Sequence, residues 1–110
     1  MTREEALTIL TQHRDELAVF GLRRLALFGS VARDEAGPES DVDVLVEFEG
    51  KATFDRYAGL YDRLEDILRR TVDLATPSMI RPFMRDAMEA NAYEVRGLSP
   101  ENSFPQMKED

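Results

Sequence analysis

The stretch Leu25–Phe48 reads LALFGSVARDEAGPESDVDVLVEF and holds two apolar runs, separated by a Gly29–Ser30 turn and a polar loop. Strong β-formers alternate along the second run, which predicts a strand over Asp41–Phe48. Because side chains in a strand repeat every two residues, Asp41 and Asp43 share one side of it, with Cα atoms roughly 6.5–7 Å apart. Two like charges held side by side favour each other's protonation unless a cation intervenes. The pair therefore predicts a metal site.

The turn before the polar loop has the features of a phosphate site. Gly29 permits a tight turn and close backbone approach, and Ser30 offers a hydroxyl and an N–H. We expect Ser30–Arg33 to form the first turn of a short helix, whose free N–H groups favour anions. Three readings stay open for Arg33: a phosphate ligand, a brace for the loop that follows, or a buried structural arginine.

The spacing of these features resembles a known signature. Gly29-Ser30, ten residues and then Asp41-x-Asp43 resemble the pattern of the DNA polymerase β-like nucleotidyltransferase superfamily. The fuller string GSVAR…SDVDVLVEF is similar to the minimal nucleotidyltransferases, its smallest members, and the resemblance covers about residues 1–96. The pattern fixes residue types, a long spacing and a β context together, whereas a lone D-x-D also occurs in glycosyltransferases and solvated loops. The chain departs from it at Asp34, where many relatives have glycine; that carboxylate would either repel phosphate or face solvent.

The resemblance also implies a third carboxylate from a later strand, and Asp73, between Val72 and Leu74, matches that position. Carboxylate ligands without cysteine or clustered histidine select a hard cation, so one or two Mg²⁺ ions are expected, with Mn²⁺ as a substitute. The predicted catalytic and metal-binding residues are Asp41, Asp43 and Asp73. Asp73 is also expected to help deprotonate the attacking hydroxyl. The residues predicted to bind the triphosphate are Gly29, Ser30 and Arg33.

The function that the resemblance implies is protein modification. Minimal nucleotidyltransferases paired with HEPN ribonucleases act as antitoxins, and some transfer AMP from ATP to a tyrosine near the toxin's active site. We therefore expect an antitoxin-type protein adenylyltransferase that uses ATP and joins a HEPN toxin in a hetero-oligomer. The partner is expected to contact the loop Asp34–Ser40 and the segment Phe54–Tyr61. Two alternatives are a catalytically weak domain that neutralises its partner by binding alone, and a nucleotidyltransferase with a small-molecule acceptor. The chain ends soon after the third aspartate, so the acceptor is expected on another protein or across an oligomer interface.

The composition narrows the possible partners, chemistry and location of the protein. With 110 residues the chain is expected to form one domain, and its net charge of −8 weighs against binding a long nucleic acid, which normally needs a basic stripe. The charge suits a basic partner or a small charged ligand with Mg²⁺, or it only keeps the protein soluble. The absence of cysteine excludes disulfides and thiolate chemistry. No apolar run approaches the roughly 20 residues of a membrane helix, and the N-terminus lacks a signal-peptide core, so a cytoplasmic location is expected.

The predicted fold is α/β (α+β): a small mixed sheet of three to four strands with helices mainly on one face. Residues 1–96 would form the nucleotidyltransferase domain and residues 97–110 a disordered tail. The predicted helices are residues 3–20, Phe54–Arg69 and Ser78–Ala92, with His13 on the rim of the first. The predicted strands are Arg24–Phe28, Asp41–Phe48, Thr71–Thr76 and a short edge strand at Tyr93–Arg96.

Overall fold

The computed structural model describes residues 1–37, 39–84, 86 and 92–96. Its four strands form one mixed sheet in the order β3-β2-β1-β4. Strand β1 (Leu22–Phe28) runs antiparallel to β2 (Val42–Phe48) and to β4 (Tyr93–Glu94), and β2 runs parallel to β3 (Val72–Ala75). The parallel pair needs a crossover, which helix α4 (Phe54–Leu68) supplies. The predicted fold class is confirmed.

One face of the sheet packs against the helices and forms the core. Along β2, Val42, Val44 and Val46 are fully buried on this face, as the alternation predicts. Leu45 is buried as well, although it lies on the same side of β2 as Asp43. The helical residues of the core cluster are Ala6, Leu10, Leu17, Val31, Ala32, Leu60, Leu64 and Leu68. Burying each leucine side chain contributes about 2 kcal/mol, so this face holds the sheet and its helices together.

The first helix differs from the prediction, because residues 3–20 do not form one helix. Helix α1 (Arg3–Gln12) begins with the predicted capping box at Thr2, and α2 (Arg14–Ala18) follows after a break at His13. The break falls in the polar stretch between Leu10 and Leu17, where no apolar side chain holds the backbone against the core. His13 has φ −104° and ψ 14°, outside the helical range.

Helix α4 matches the prediction to within one residue. Thr53 caps α4 by accepting the N–H of Arg56, and Arg69 ends it in the left-handed conformation. Tyr57 and Tyr61 pack against the core, as predicted for the aromatic stripe. Phe54 departs from that stripe, because its side chain is 80% exposed.

Several predicted boundaries need correction. Strand β1 begins at Leu22, two residues early, where a register shift lets Leu22 enter the core. Strand β3 is shorter than predicted by one residue at each end. A 3₁₀ turn, Pro77–Met79, replaces the predicted start of the last helix, and helical backbone begins only at residue 82. Residues 85 and 87–91 of that predicted helix and the predicted tail, residues 97–110, lie outside the described residues.

Candidate functional site

The structure brings Asp43 and Asp73 together as direct neighbours on adjacent strands. The parallel register pairs Asp43 with Asp73, flanked by the pairs Val42–Val72 and Val44–Leu74. Paired residues of neighbouring strands point to the same face, with backbones about 4.8 Å apart. That face is opposite the one that buries Val42 and Val44, so both carboxylates lie on the side away from the helical core. Asp73 is exposed, whereas Asp43 is half-buried.

Asp41 lies outside β2, contrary to the prediction that the strand begins there. The strand begins at Val42, and Asp41 is an exposed residue at the end of the loop. The charge of Asp41 still acts on Asp43. Burial is the main cause that raises the pKa of Asp43, and the charges of Asp73 and then Asp41 raise that pKa further. The Arg33 guanidinium acts in the opposite sense and lowers the pKa of Asp43. The charges of Asp41, Asp73 and Arg33 therefore all act on the Asp43 carboxylate.

The Gly29–Ser30 turn follows directly from the end of β1, beside Asp43. Phe28, the last residue of β1, pairs with Asp43 across the antiparallel ladder. Gly29 has φ +72°, which glycine adopts without strain, and the Asp43 carboxylate lies against its Cα atom. Helix α3 (Gly29–Ala32) is a single turn, so it adds little dipole of its own. Any phosphate held here would depend on the N–H groups and the Ser30 hydroxyl.

Arg33 lies on the surface, so it is not the buried structural arginine that one of the three readings proposed. Its Nε donates to Oε1 of Glu35 at 3.0 Å, and its side chain is 48% exposed. The pairing braces the loop, as one of the predicted readings has it. An exposed ion pair of this kind contributes roughly 0–1 kcal/mol, so Arg33 can leave Glu35 for a stronger anion at little cost.

The Asp34 side chain is bonded to Arg3. Its φ of +59° is the left-handed conformation that glycine favours, which explains how a glycine would fit at this position. The Asp34 carboxylate accepts the backbone N–H of Arg3 at 2.7 Å and pairs with the Arg3 guanidinium at 3.6 Å. The acid thus binds the first turn of α1, where a negative charge is favourable. The bonds to Arg3 differ from both readings of the sequence, in which the Asp34 carboxylate repels phosphate or simply faces solvent.

Two side chains of α4 form hydrogen bonds to the strand that carries Asp73, and neither was predicted to do so. The Tyr57 hydroxyl donates to the carbonyl of Leu74, and Glu65 Oε2 accepts the N–H of Val72 at 2.9 Å. Burial first and then the charge of Asp73 raise the pKa of Tyr57, so its hydroxyl remains a donor at neutral pH. The spacing of two helical turns between Tyr57 and Glu65 places both on one face of α4. That spacing was readable in the sequence, but their backbone partners were not.

The aspartates suit a hard cation that is shared with a substrate. Within the residues that the structure describes, no three acidic, histidine or cysteine side chains close around a single point. Two adjacent carboxylates with a third nearby still offer the oxygen ligands that Mg²⁺ prefers. Mg²⁺ commonly uses one or two carboxylates and completes its shell with water and phosphate oxygens, so a closed protein cage is not required. Burial is the main cause of the raised pKa of Asp43, and the repulsion from Asp73 and Asp41 that adds to it is the part that a cation would relieve.

Comparisons with known proteins identify the family of the chain. The family model for the nucleotidyltransferase domain matches residues 9–93, which include all six predicted site residues. The chain belongs to the nucleotidyltransferase family. It is 42% identical over 82 residues to the protein adenylyltransferase MntA of Thermococcus cleftensis, covering 74% of this chain and 83% of that one. It is also similar to the solved structure of a candidate minimal nucleotidyltransferase, with a TM-score of 0.69 and 34% identity over 84% of this chain and 95% of that chain.

As a minimal nucleotidyltransferase the chain is a transferase of nucleotidyl groups. A more distant likeness is to a structure described as a tri-AMPylated Shewanella oneidensis HEPN toxin in complex with an MNT antitoxin. The TM-score is 0.58 and the identity 16%, with coverage of 92% of this chain and 87% of that one. At that identity the likeness supports the fold. Among the described residues, no helix has the length and apolar character needed to cross a membrane.

Proposed function

We propose that this nucleotidyltransferase transfers AMP from ATP to a tyrosine hydroxyl of a HEPN toxin and so acts as its antitoxin. The observation that carries the proposal is the placement of Asp43: its carboxylate lies against Gly29 and pairs in register with Asp73. A triphosphate on the Gly29–Ser30 turn would therefore lie next to both carboxylates. The name of the relative from Thermococcus cleftensis, a protein adenylyltransferase, supports protein as the acceptor.

In the proposed ground state, this chain's residues hold the triphosphate and fix its orientation. The backbone N–H groups of the Gly29–Ser30 turn and the Ser30 hydroxyl would donate to the β- and γ-phosphate oxygens. Arg33 would exchange Glu35 for a phosphate oxygen, since a charge-assisted bond to phosphate is stronger than an exposed ion pair. Asp41 and Asp43 would hold the Mg²⁺ ions that accompany the triphosphate, with Asp73 completing the set. When bound, Mg²⁺ supplies neutralisation of the phosphate charge and of the leaving pyrophosphate.

In the proposed transfer, the tyrosine oxygen attacks the α-phosphorus in line. A new P–O bond forms to tyrosine, and the bond from the α-phosphorus to the oxygen bridging the β-phosphorus breaks. Pyrophosphate leaves with that bonding pair, and the tyrosine proton passes to the carboxylate of Asp73. Asp73 suits this role because it is exposed on the open face, where an acceptor hydroxyl can approach within hydrogen-bond distance.

The acceptor must be held by its own protein surface. In-line attack requires the reacting atoms roughly 3–3.5 Å apart, which a specific interface can supply. Phe54 offers an apolar contact for such an interface, since it is 80% exposed at the start of α4. The described part of the Asp34–Ser40 loop is also open to solvent, beside Arg33 and the turn. These two segments remain the proposed partner contacts.

The test is an incubation of the purified chain with ATP, Mg²⁺ and a HEPN-type protein from the same genome. Intact-mass measurement should show the partner gaining AMP, and peptide mapping should place it on a tyrosine. The Asp41→Asn/Asp43→Asn protein is the control and should transfer nothing. If the partner gains no AMP while both proteins still suppress its toxicity, neutralisation by binding alone is the function. Transfer to an added aminoglycoside but not to the partner would support a small-molecule acceptor.

A further inference from the structure

Strand β3, which carries Asp73, is the edge strand on its side of the four-stranded sheet. Its inner side pairs with β2, where the N–H of Val42 donates to the carbonyl of Thr71 at 2.9 Å. Backbone groups alternate in direction along a parallel strand, so those of Val72 and Leu74 face outward, away from β2. An edge strand of only four residues, bonded on one side, would fray readily.

Both residues that flank Asp73 are bonded on the outer side as well. The Val72 N–H donates to Glu65 Oε2 at 2.9 Å, and the Leu74 carbonyl accepts the Tyr57 hydroxyl. Both side chains belong to α4, whose own position is fixed by the fully buried Leu60 and Leu64. The strand is thus held between β2 and a rigid helix, one hydrogen bond before Asp73 and one after it.

We propose that Tyr57 and Glu65 are positioning residues that hold Asp73 in register with Asp43 for proton transfer. The proposal rests on the role proposed above for Asp73. Geometry supports it, since a displacement of about 1 Å can cost on the order of 100-fold in rate, and the two bonds hold the outer backbone groups on either side of Asp73. Tyr61 adds to the arrangement because its hydroxyl bonds Glu65, which restrains the rotamer of that carboxylate. The competing explanation is that the two bonds only block the sheet edge against association.

The kinetic test compares Tyr57→Phe and Glu65→Ala with matched controls. Tyr93→Phe removes a hydroxyl from β4, at the opposite edge of the sheet, and Asp62→Ala removes an exposed carboxylate from α4. Tyr57 and Glu65 together are called the clamp. We expect both clamp variants, Tyr57→Phe and Glu65→Ala, to lower kcat for transfer roughly tenfold to 100-fold, while KM for Mg-ATP stays within about twofold. Glu65→Gln keeps an acceptor oxygen for Val72 and should restore most of kcat. Unchanged kcat in both clamp variants, or equal losses in the controls, would overturn the proposal.

A second measurement needs neither partner nor nucleotide. Amide hydrogen exchange should be roughly fivefold faster at Val72 and Val42 in Glu65→Ala than in Asp62→Ala, because the outer bond no longer restrains β3. Amides of the β1–β2 ladder should exchange as in the wild type, which also shows that the variant is folded. If the wild type transfers no AMP, the proposed function fails and this exchange measurement alone decides whether the two side chains hold the strand. Unchanged exchange at Val72 and Val42 would overturn the clamp in either case.

Discussion

A Cβ atom placed on Gly29 would lie 2.0 Å from Oδ2 of Asp43 and 2.8 Å from its Cγ. Both distances are far inside van der Waals contact, so no residue other than glycine fits without moving the carboxylate. Glycine is required at this position because Phe28, the last residue of β1, pairs with Asp43 of β2 and the chain turns at the next residue. The Gly29–Ser30 turn and the Asp43 carboxylate are therefore one steric unit.

Gly29→Ala should abolish transfer by displacing the Asp43 carboxylate, and should also destabilise the fold by about 1–3 kcal/mol because alanine is strained at φ +72°. Gly50→Ala is a matched control: Gly50 has the same φ of +72°, and a Cβ there meets nothing within 4 Å. Its backbone strain should be similar, but its transfer rate should equal that of the wild type. Urea denaturation and an initial-rate assay separate the two effects. Equal activity in both variants would contradict the steric unit.

Asp43→Asn should stabilise the free protein at neutral pH and lower transfer on the order of 100- to 1,000-fold. The folded state raises the pKa of Asp43, mainly by burial and then through Asp73 and Asp41. Between the unfolded pKa and this raised value the folded state binds the proton more tightly, so the wild type loses stability as pH rises. The stability gained by the Asp43→Asn substitution should be full above the pKa of Asp43 in the folded state. It should vanish below about pH 4, near the pKa of Asp43 in the unfolded state.

Thermal melts from pH 3 to 8 check that dependence, with Asp62→Asn as a control for the loss of one negative charge. Adding Mg-ATP at pH 7 should raise the melting temperature of the wild type but not that of Asp43→Asn. An equal shift in both proteins would show that the nucleotide binds without Asp43. A stability gain that persists unchanged at pH 3 would mean that the ionised carboxylate of Asp43 is not its cause.

Asp34→Gly should leave stability within about 1 kcal/mol of the wild type, because two effects oppose each other. Glycine relieves the left-handed φ of +59° but loses the bonds to the N–H and guanidinium of Arg3. Asp34→Ala keeps the strain and loses the bonds, so it should be destabilised by about 1–2 kcal/mol. KM for ATP should stay unchanged in both. A lower KM in both variants would show that Asp34 does oppose phosphate binding.

The fold and much of the site were predictable because they depend on periods within the sequence. Alternation placed Asp43 on the face opposite Val42 and Val44, and the crossover from β2 through α4 made β3 a parallel neighbour. Once two parallel strands pair, one register decides whether their acids meet. The register with Asp43 opposite Asp73 is also the one that buries the valines, so core packing and site assembly agree.

What the sequence could not supply depends on contacts between distant residues. The left-handed turn at Asp34 is one case, because its bond to the N–H of Arg3 involves a partner that no local pattern specifies. The same is true of the bond from Tyr57 to the Leu74 carbonyl, because a tyrosine in an apolar stripe reads only as core. Asp41 was expected inside β2, since propensity does not show where pairing starts; the ladder with β3 begins at Val42.

Arg33→Ala should raise KM for ATP roughly tenfold, the loss of one charge-assisted bond to phosphate, and leave stability within about 1 kcal/mol because its ion pair with Glu35 is exposed. Glu35→Ala is the matched control, since it breaks the same ion pair but keeps the guanidinium. With its competitor removed, Arg33 should bind the triphosphate as well as in the wild type or better, so KM should be unchanged or lower. Initial rates against ATP concentration, together with melts of both variants, measure this. If both variants raise KM equally, the ion pair itself shapes the loop, and Arg33 acts as the brace for that loop and not as a phosphate ligand.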